Sequence, residues 1–262
     1  MRVGFIGAGR MGAPMVRRLA GAGHQVRVLG RDDEKRAAVA ELGADPVSSP
    51  LAAVTGADVT IVCVFTDDQV RGLCPSLIDE MPEGSVLVLH TTGSPRTAEA
   101  LAERGAARGI AVVDAPVSGG PHDIAAGTVT VFAGGDADAI ARAREVLTAY
   151  ADPVLHVGPV GAGQRVKLVN NALFAAQIGA VAEGVRLGDR LGIDEATLLT
   201  ALTHGSAASR ALGGIAATGS ADAFIERVGE FIGKDVAVVR RTASELDSDL
   251  GRLEGLLDAA IR

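Results

Sequence analysis

Val3-Gly4-Phe5-Ile6-Gly7-Ala8-Gly9-Arg10-Met11-Gly12-Ala13-Pro14 is the stretch that decides the fold. The apolar run Val3–Ile6 predicts a buried strand, and the amphipathic stretch Ala13–Ala22 predicts a helix directly after it. Between them stands GxGxxG. Gly7 permits a tight strand-to-helix turn, Gly9 lets a pyrophosphate approach the backbone, and Gly12 lets helix and strand pack closely. Phosphates would rest on the free N–H groups at the start of the helix. Gly7, Ala8, Gly9, Arg10, Met11 and Gly12 are therefore candidate cofactor-binding residues. A packing turn without ligand can carry the same letters; the position at the head of a βαβ unit favours the dinucleotide site.

The next strand, Gln25–Leu29, bears on which dinucleotide. A site for NAD normally ends this strand in Asp or Glu, which holds the ribose 2′-hydroxyl. Here it ends in Gly30-Arg31. Glycine removes the carboxylate that would repel a 2′-phosphate, and Arg31 offers a charge-assisted fork to bind one. The expectation is NADP, with NAD as the other possibility. A plainer reading pairs Arg31 with Asp32 or Asp33.

Further along, Val59–Phe65, Ser85–Leu89, Ile110–Val113, Thr128–Phe132 and Val154–Val157 read as strands. Asp33–Leu42 and Pro95–Arg108 are among the helices between them. These runs scarcely alternate, as expected of a parallel sheet covered on both faces. After Gly158–Gly163 the strand signal stops. Gln164–Leu191 reads as one helix on the order of 40 Å long, more than a helix covering a sheet needs. Asp194–Thr203, Ala221–Glu226, Phe231–Leu246 and Leu250–Ile261 follow as helices. The fold expected is α/β, with residues 1–160 as the dinucleotide-binding domain and 161–262 as a long connecting helix plus an all-α domain.

Composition narrows the partners. The 262 residues carry 25 Lys and Arg against 32 Asp and Glu, a net charge of −7, so no electrostatic footprint for nucleic acid or an anionic membrane surface exists. Aromatic residues at 3% argue against a stacking binder of single strands, while 48% hydrophobic residues suffice for a large core. Cys63 and Cys74 have no CxxC spacing, which fits a reducing cytoplasm. The N-terminal apolar stretch is too short and too glycine-rich for a signal peptide. No segment is expected to reach the roughly 18 apolar residues of a membrane span. The five histidines are scattered without ligand spacing, so no metal site is expected.

Four segments, in order, resemble the β-hydroxyacid dehydrogenase family, which includes 3-hydroxyisobutyrate dehydrogenase and tartronate semialdehyde (glyoxylate) reductases. Gly4–Met15 resembles its cofactor signature, and Asp114-Ala115-Pro116-Val117-Ser118-Gly119-Gly120 its substrate-binding segment. Gly161-Ala162-Gly163-Gln164-Arg165-Val166-Lys167-Leu168-Val169-Asn170-Asn171 resembles its catalytic helix, and Lys234-Asp235 a pair that lies near the cofactor. The resemblance spans essentially the whole chain. It implies a Rossmann domain, a long interdomain helix and a helical C-terminal domain. It also implies hydride transfer between NAD(P) and a small 3-hydroxy acid or its semialdehyde, without metal, in at least a homodimer.

The chemistry needs a group that takes and returns the hydroxyl proton. Lys167 is the candidate: Asn170 and Asn171 follow at three and four residues and share its face, and its neighbours are apolar. Lysine titrates near 10.4 in water, so partial burial must bring it toward working pH. On spacing alone a snorkelling lysine beside a structural Asn pair fits as well. By resemblance Lys167 is the general acid/base and Asn171 orients it or the substrate oxygen. Ser118, Gly119 and Gly120 would cradle the substrate carboxylate. Thr92 would sit beside nicotinamide and substrate, Phe65 and Thr66 would line the cofactor cleft, and Lys234 would approach from the helical domain.

The chain departs from the family after Gly120. Pro121-His122-Asp123-Ile124 stands where a small Gly-Ala pair is usual, and Asp123 near an anion cradle is expected to reshape it or repel the anion. Two further readings remain. An imine reductase shares the fold but generally lacks the lysine, and a protein that binds NADP without turnover needs no Lys167 at all.

Overall fold

Strand β1 (Arg2–Ile6) runs through the middle of a sheet, with Val3 and Phe5 buried in one core and Ile6 in another. The structure, a computed structural model, describes residues 1–261. By contacts the chain divides into two units, Met1–Lys167 and the residues from Leu168 onward.

In the first unit β2 (Gln25–Leu29), β3 (Asp45–Val47), β4 (Val59–Val62), β5 (Val86–Leu89) and β6 (Ala111–Asp114) join β1 in a parallel sheet of order β3-β2-β1-β4-β5-β6. The sheet continues through β8 (Val129–Gly134), antiparallel to β6; β7 (Val117–Ser118) pairs antiparallel with β8, and β9 (Ala151–Gly158) pairs parallel with it. Alternate residues face opposite cores. Phe5, Val28, Ile61 and Val88 pack with Met15, Val16 and Leu19 of α1 (Gly12–Gly21). Ile6, Val62, Leu87 and Leu89 pack with α4 (Asp67–Glu80) and α5 (Pro95–Ala106). With both faces covered, the strands need no polar alternation, and burying each large side chain contributes about 1.5–3 kcal/mol. The short helices α2 (Asp33–Glu41), α3 (Pro50–Val54) and α6 (Pro121–Ala126), with α7 (Ala137–Leu147), complete the unit.

Helix α8 (Ala162–Arg190) begins in the first unit and continues into the second, where α9 (Glu195–Thr203), α10 (Arg210–Thr218), α11 (Ala221–Glu245) and α12 (Leu253–Ala260) surround a core of Ala175, Ile178, Leu212, Phe224, Val236 and Leu257. Gly179 of α8 lies close against α12: a Cβ there would overlap the Leu256 carbonyl oxygen.

Several expectations need correction. The strand expected over Val59–Phe65 ends at Val62, and Phe65 is 55% exposed. The helices expected over Ala221–Glu226 and Phe231–Leu246 are one helix, because Ile225, Ile232, Val236 and Val239 form one buried stripe across the Gly229 region. Helix α10 and strand β3, the latter only three residues with Pro46 inside, were not anticipated. Contrary to the expectation that no segment is long and apolar enough to cross a membrane, α8 is, with a mean hydropathy of 1.2 over 18 residues. Much of that apolar character is Ala172, Ala175, Ala176, Ile178 and Ala182, all buried in the helical core.

Candidate active site

The β1–α1 turn has the features that a pyrophosphate requires. Gly7 adopts φ +105°, and a Cβ on it would overlap the Cys63 carbonyl oxygen at the end of β4. A Cβ on Gly12 would overlap the Gly7 carbonyl and stand 2.9 Å from Phe5 Cε1. A Cβ on Gly9, by contrast, would meet nothing within 4 Å beyond its chain neighbours, so the backbone there is open to a ligand. Helix α1 has no side-chain cap and no acidic residue in its first turn, whereas α2, α3, α4 and α5 are capped by Asp32, Ser49, Thr66 and Ser94. Of its leading N–H groups, that of Ala13 donates to the Gly9 carbonyl at 2.8 Å and Pro14 has none, so an anion would meet the N–H groups at and before Gly12, supported by the helix dipole. The turn also sits where strand order reverses between β1 and β4, the crevice in which open α/β sheets bind nucleotides. These residues fit a dinucleotide.

At the end of β2, Gly30 is buried, and a Cβ on it would lie 2.6 Å from Arg36 Cγ and 2.9 Å from Arg36 N. No side chain fits there without moving the start of α2. Arg31 is exposed. Its two suggested partners have other bonds: Asp32 Oδ1 accepts from the Lys35 N–H at 2.7 Å, and Asp33 pairs with Arg36.

Three loops meet at the carboxyl edge of β4, β5 and β6. After β5, Thr91 Oγ1 accepts from the Val64 N–H and donates to the Val64 carbonyl, both at 3.0 Å, which ties this loop to the one after β4. There Thr66 caps α4 in a reciprocal box with Gln69, whose Oε1 also accepts from the Phe65 N–H. Asp67, 5% exposed, accepts from Thr97 Oγ1 at 2.8 Å and Arg71 Nε at 2.9 Å, and leaves Gly93 no room for a side chain. Thr92 is half-buried between these anchors. Sequence reasoning missed Asp114 and Gln164 as organisers. Asp114 Oδ1 and Oδ2 accept from the Gly161 and Gln164 N–H groups at 2.6 and 2.8 Å, while Gln164 Nε2 donates to Thr91 O and its Oε1 accepts from the Gly93 N–H. The one available signal was a lone acid ending the apolar strand β6.

On α8, Lys167 is buried, and so is Asn171 one turn further along. Asn171 Oδ1 accepts from Asn170 Nδ2, but Asn171 Nδ2 is buried without a partner among the described residues. A buried donor left unmet is rare and costs about 1–3 kcal/mol unless a ligand accepts from it. In the second unit Lys234 Nζ stands 3.7 Å from Asp235 Oδ1.

At the expected carboxylate cradle, Ser118 ends β7 and Gly119 turns with φ +133°. The Gly120 N–H donates to Asp123 Oδ2 at 2.7 Å, and His122 Nε2 lies 3.3 Å from Asp123 Oδ1. Asp123 thus closes the start of α6, and Ile124 is fully buried in the sheet core. The departure from the family pattern is a local cap and a core contact. Among the described residues no three of His, Cys, Asp and Glu gather to hold a metal.

Next to this edge His90 is fully buried, with Nδ1 2.5 Å from the Ala115 carbonyl and Nε2 2.7 Å from the Tyr150 hydroxyl. Burial lowers its pKa from 6.5 to about 4, and burial raises that of Asp114 from 3.8 to about 6. For His90 the unfolded chain binds the extra proton, so its contribution is full above pH 6.5 and lost as pH falls to 4. For Asp114 the folded chain binds it, so its contribution is full below pH 3.8 and lost as pH rises through 6. Each amounts to about 3 kcal/mol at ~1.4 kcal/mol per unit, and the two slopes oppose each other. Replacing His90 with Asn removes one slope. Relative to wild type, the urea midpoint of the variant should rise on going from pH 6.5 to pH 4.5; an unchanged difference between the two proteins would refute this balance.

Residues 2–158 match the NAD binding domain of 6-phosphogluconate dehydrogenase, and residues 161–254 the NAD-binding region of NADP-dependent 3-hydroxyisobutyrate dehydrogenase. A 3-hydroxyisobutyrate dehydrogenase from Pseudomonas aeruginosa is 35% identical over 213 residues, covering 80% of this chain and 72% of the relative. A NAD-dependent L-serine dehydrogenase from the same organism is 35% identical over 214 residues, with the same coverage. The structure of the Mycobacterium tuberculosis 3-hydroxyisobutyrate dehydrogenase with L-serine superposes with a TM-score of 0.89 at 28% identity, covering 98% of this chain and 91% of that one.

Proposed function

We propose, from the premise that this chain belongs to the β-hydroxyacid dehydrogenase family, that it prefers NADP and interconverts a small 3-hydroxy acid and its semialdehyde, with Lys167 as general acid/base. That it is an oxidoreductase acting on CH–OH follows from the family itself. The observation that carries the finer reading is the pairing on α8 of a buried Lys167 with Asn171, whose buried Nδ2 lacks an acceptor. A substrate oxygen would satisfy that donor.

Gly7 to Gly12 would hold the pyrophosphate on the uncapped start of α1, Arg31 the 2′-phosphate, and Phe65, Thr66, Thr92 and Lys234 the remainder of the cofactor. When bound, the nicotinamide supplies or accepts the hydride. Lys167 gives a proton to the substrate oxygen on reduction and removes it on oxidation, and Asn171 holds that oxygen by its free amide hydrogen. The substrate carboxylate would lie against Ser118 and Gly119. Asp123, already bonded to the Gly120 N–H, places a negative charge there and favours a monocarboxylate. The alternative, NADP binding without turnover, leaves the buried pair on α8 unexplained. The assay is NADPH oxidation with small acid semialdehydes and glyoxylate, wild type against Lys167→Ala; activity on none of them would overturn the reading.

We also place the enzyme in the cytoplasm, consistent with two free cysteines, and propose a homodimer or larger homo-oligomer. Val169, Leu173 and Leu187 form an exposed apolar stripe along α8 at helical spacing, and Leu191 continues it just past the helix end, from 47% to 68% exposed. A second copy would cover it. Sedimentation should give at least a dimer, and Leu173→Glu with Leu187→Glu should yield monomers; a monomeric wild type would refute the proposal.

A further inference from the structure

We propose that Asp114 is a positioning residue: its carboxylate fixes the first turn of α8, and so where Lys167 stands, and does not touch substrate. The inference rests on the reading of Lys167 as acid/base. By resemblance Asp114 belongs to a substrate-binding segment, but both its oxygens point at the start of α8, accepting the N–H groups of Gly161 and Gln164 from 47 and 50 residues away. It serves as an N-cap donated by a strand, and its charge suits the positive end of the helix.

The fit around it admits little movement. A Cβ on Gly134 would lie 2.5 Å from Asp114 Oδ1 and 2.8 Å from Gly163 N. One on Gly163 would lie 2.6 Å from Asp114 O and 2.9 Å from Oδ2. The backbone of α8 is thus pressed directly onto β6 and β8. Gln164 adds a second direction of restraint, holding Thr91 O at 2.9 Å and the Gly93 N–H at 3.0 Å. Three residues further on, one turn along the same face, stands Lys167. On the other side, His90 holds the Ala115 carbonyl, the peptide that follows Asp114. A serine or asparagine could cap a helix at lower cost than a buried carboxylate, whose ionisation burial opposes. A fully buried acid, anchored on two sides and joined to the helix that carries the acid/base, matches a demand for exact placement of that helix more than for stability.

The test is a mutant cycle read in kcat, substrate KM and NADPH dissociation constant for Asp114→Asn, Lys167→Ala and the double variant. Asparagine is nearly isosteric but turns one acceptor into a donor facing an N–H. Displacement of the reacting groups by about 1 Å costs on the order of 100-fold, so kcat should fall roughly 10- to 100-fold. KM and NADPH binding should stay within about threefold, and in the Lys167→Ala background the substitution should cost almost nothing more, as expected of residues acting as one unit. A raised KM with kcat intact would assign Asp114 to substrate and overturn the proposal. So would an undiminished loss in the Lys167→Ala background, the mark of general damage to the fold. Should Asp114→Asn not fold, Gln164→Ala replaces it in the cycle, with the same kcat-only loss and non-additivity expected. Full activity in Asp114→Asn beside an inactive Lys167→Ala overturns this inference alone, whereas full activity in Lys167→Ala overturns the acid/base reading.

Discussion

Alanine at position 167 should lower turnover of the best acid semialdehyde by roughly 10²–10⁴-fold, the usual contribution of a positioned acid or base, while NADPH, followed by the change in its own fluorescence, still binds at near wild-type concentrations. The effect falls on kcat because Lys167 is assigned to the proton that moves with the reaction and not to holding the cofactor. Lys167→Arg separates charge from proton transfer. Arginine keeps the cation but never releases its proton at working pH, so it should be nearly as inactive as alanine. Recovery of most activity in the arginine variant would make Lys167 an electrostatic anchor. Asn171→Ala tests the neighbour: losing a donor that only substrate can satisfy should raise KM and lower kcat together, with a small change in stability, because the one hydrogen bond removed is the 3.2 Å bond its Oδ1 accepts from Asn170 and Nδ2 loses none.

What could be read from the sequence follows from how local each constraint is. The three glycines of the β1–α1 turn were legible because each meets a steric demand set within a few residues of itself or by an adjacent strand. Gly7 has φ +105°, Gly12 packs on Gly7 and Phe5, and Gly9 stays open. The parallel strands were legible because burial on both faces writes an unbroken apolar run. Asp114 and Gln164 were quoted but given no role, since their partners lie about 50 to 70 residues away and no spacing rule connects them. Asp123 was read as a charge beside an anion cradle. Its bond to the Gly120 N–H is local, the N-cap to N3 reach of a capping box, and a reading of helix starts would have found α6 there. The single helix α11 was split over residues 227–230, where Gly229 lowers helix propensity by about 1 kcal/mol; packing of Ile225, Ile232 and Val236 outweighs it. Length and composition also misjudged α8, whose alanines face a protein core as readily as they would face lipid.

Cofactor choice gives the second large effect, and it depends on two adjacent residues with different tolerances. If Arg31 holds the 2′-phosphate as proposed, removing it takes away a charge-assisted bond of about 1.5–3 kcal/mol, so Arg31→Ala should raise the NADPH KM roughly 10- to 150-fold and leave NADH nearly unchanged. The reverse change is less simple. An acid in place of Gly30 would provide the group that NAD sites use, yet its Cβ would stand 2.6 Å from Arg36 Cγ, 2.9 Å from Arg36 N and 3.0 Å from Arg36 Cα. Shortening Arg36 relieves only the first of these, because the other two are backbone. Arg36 Nη1 also donates to the Gly30 carbonyl at 3.1 Å, which draws the start of α2 onto this residue. Gly30→Asp should therefore lose about 1–3 kcal/mol of stability from overpacking and gain little NADH activity. Loss of NADPH preference should be reached through Arg31 alone, while a gain of NAD preference requires the α2 start to move. A wild-type KM for NADH below that for NADPH would overturn the NADP preference, and an Arg31→Ala enzyme with unchanged NADPH KM would show that the 2′-phosphate is held elsewhere. An active, stable and NAD-preferring Gly30→Asp enzyme would show instead that the first turn of α2 yields where its packing says it should not.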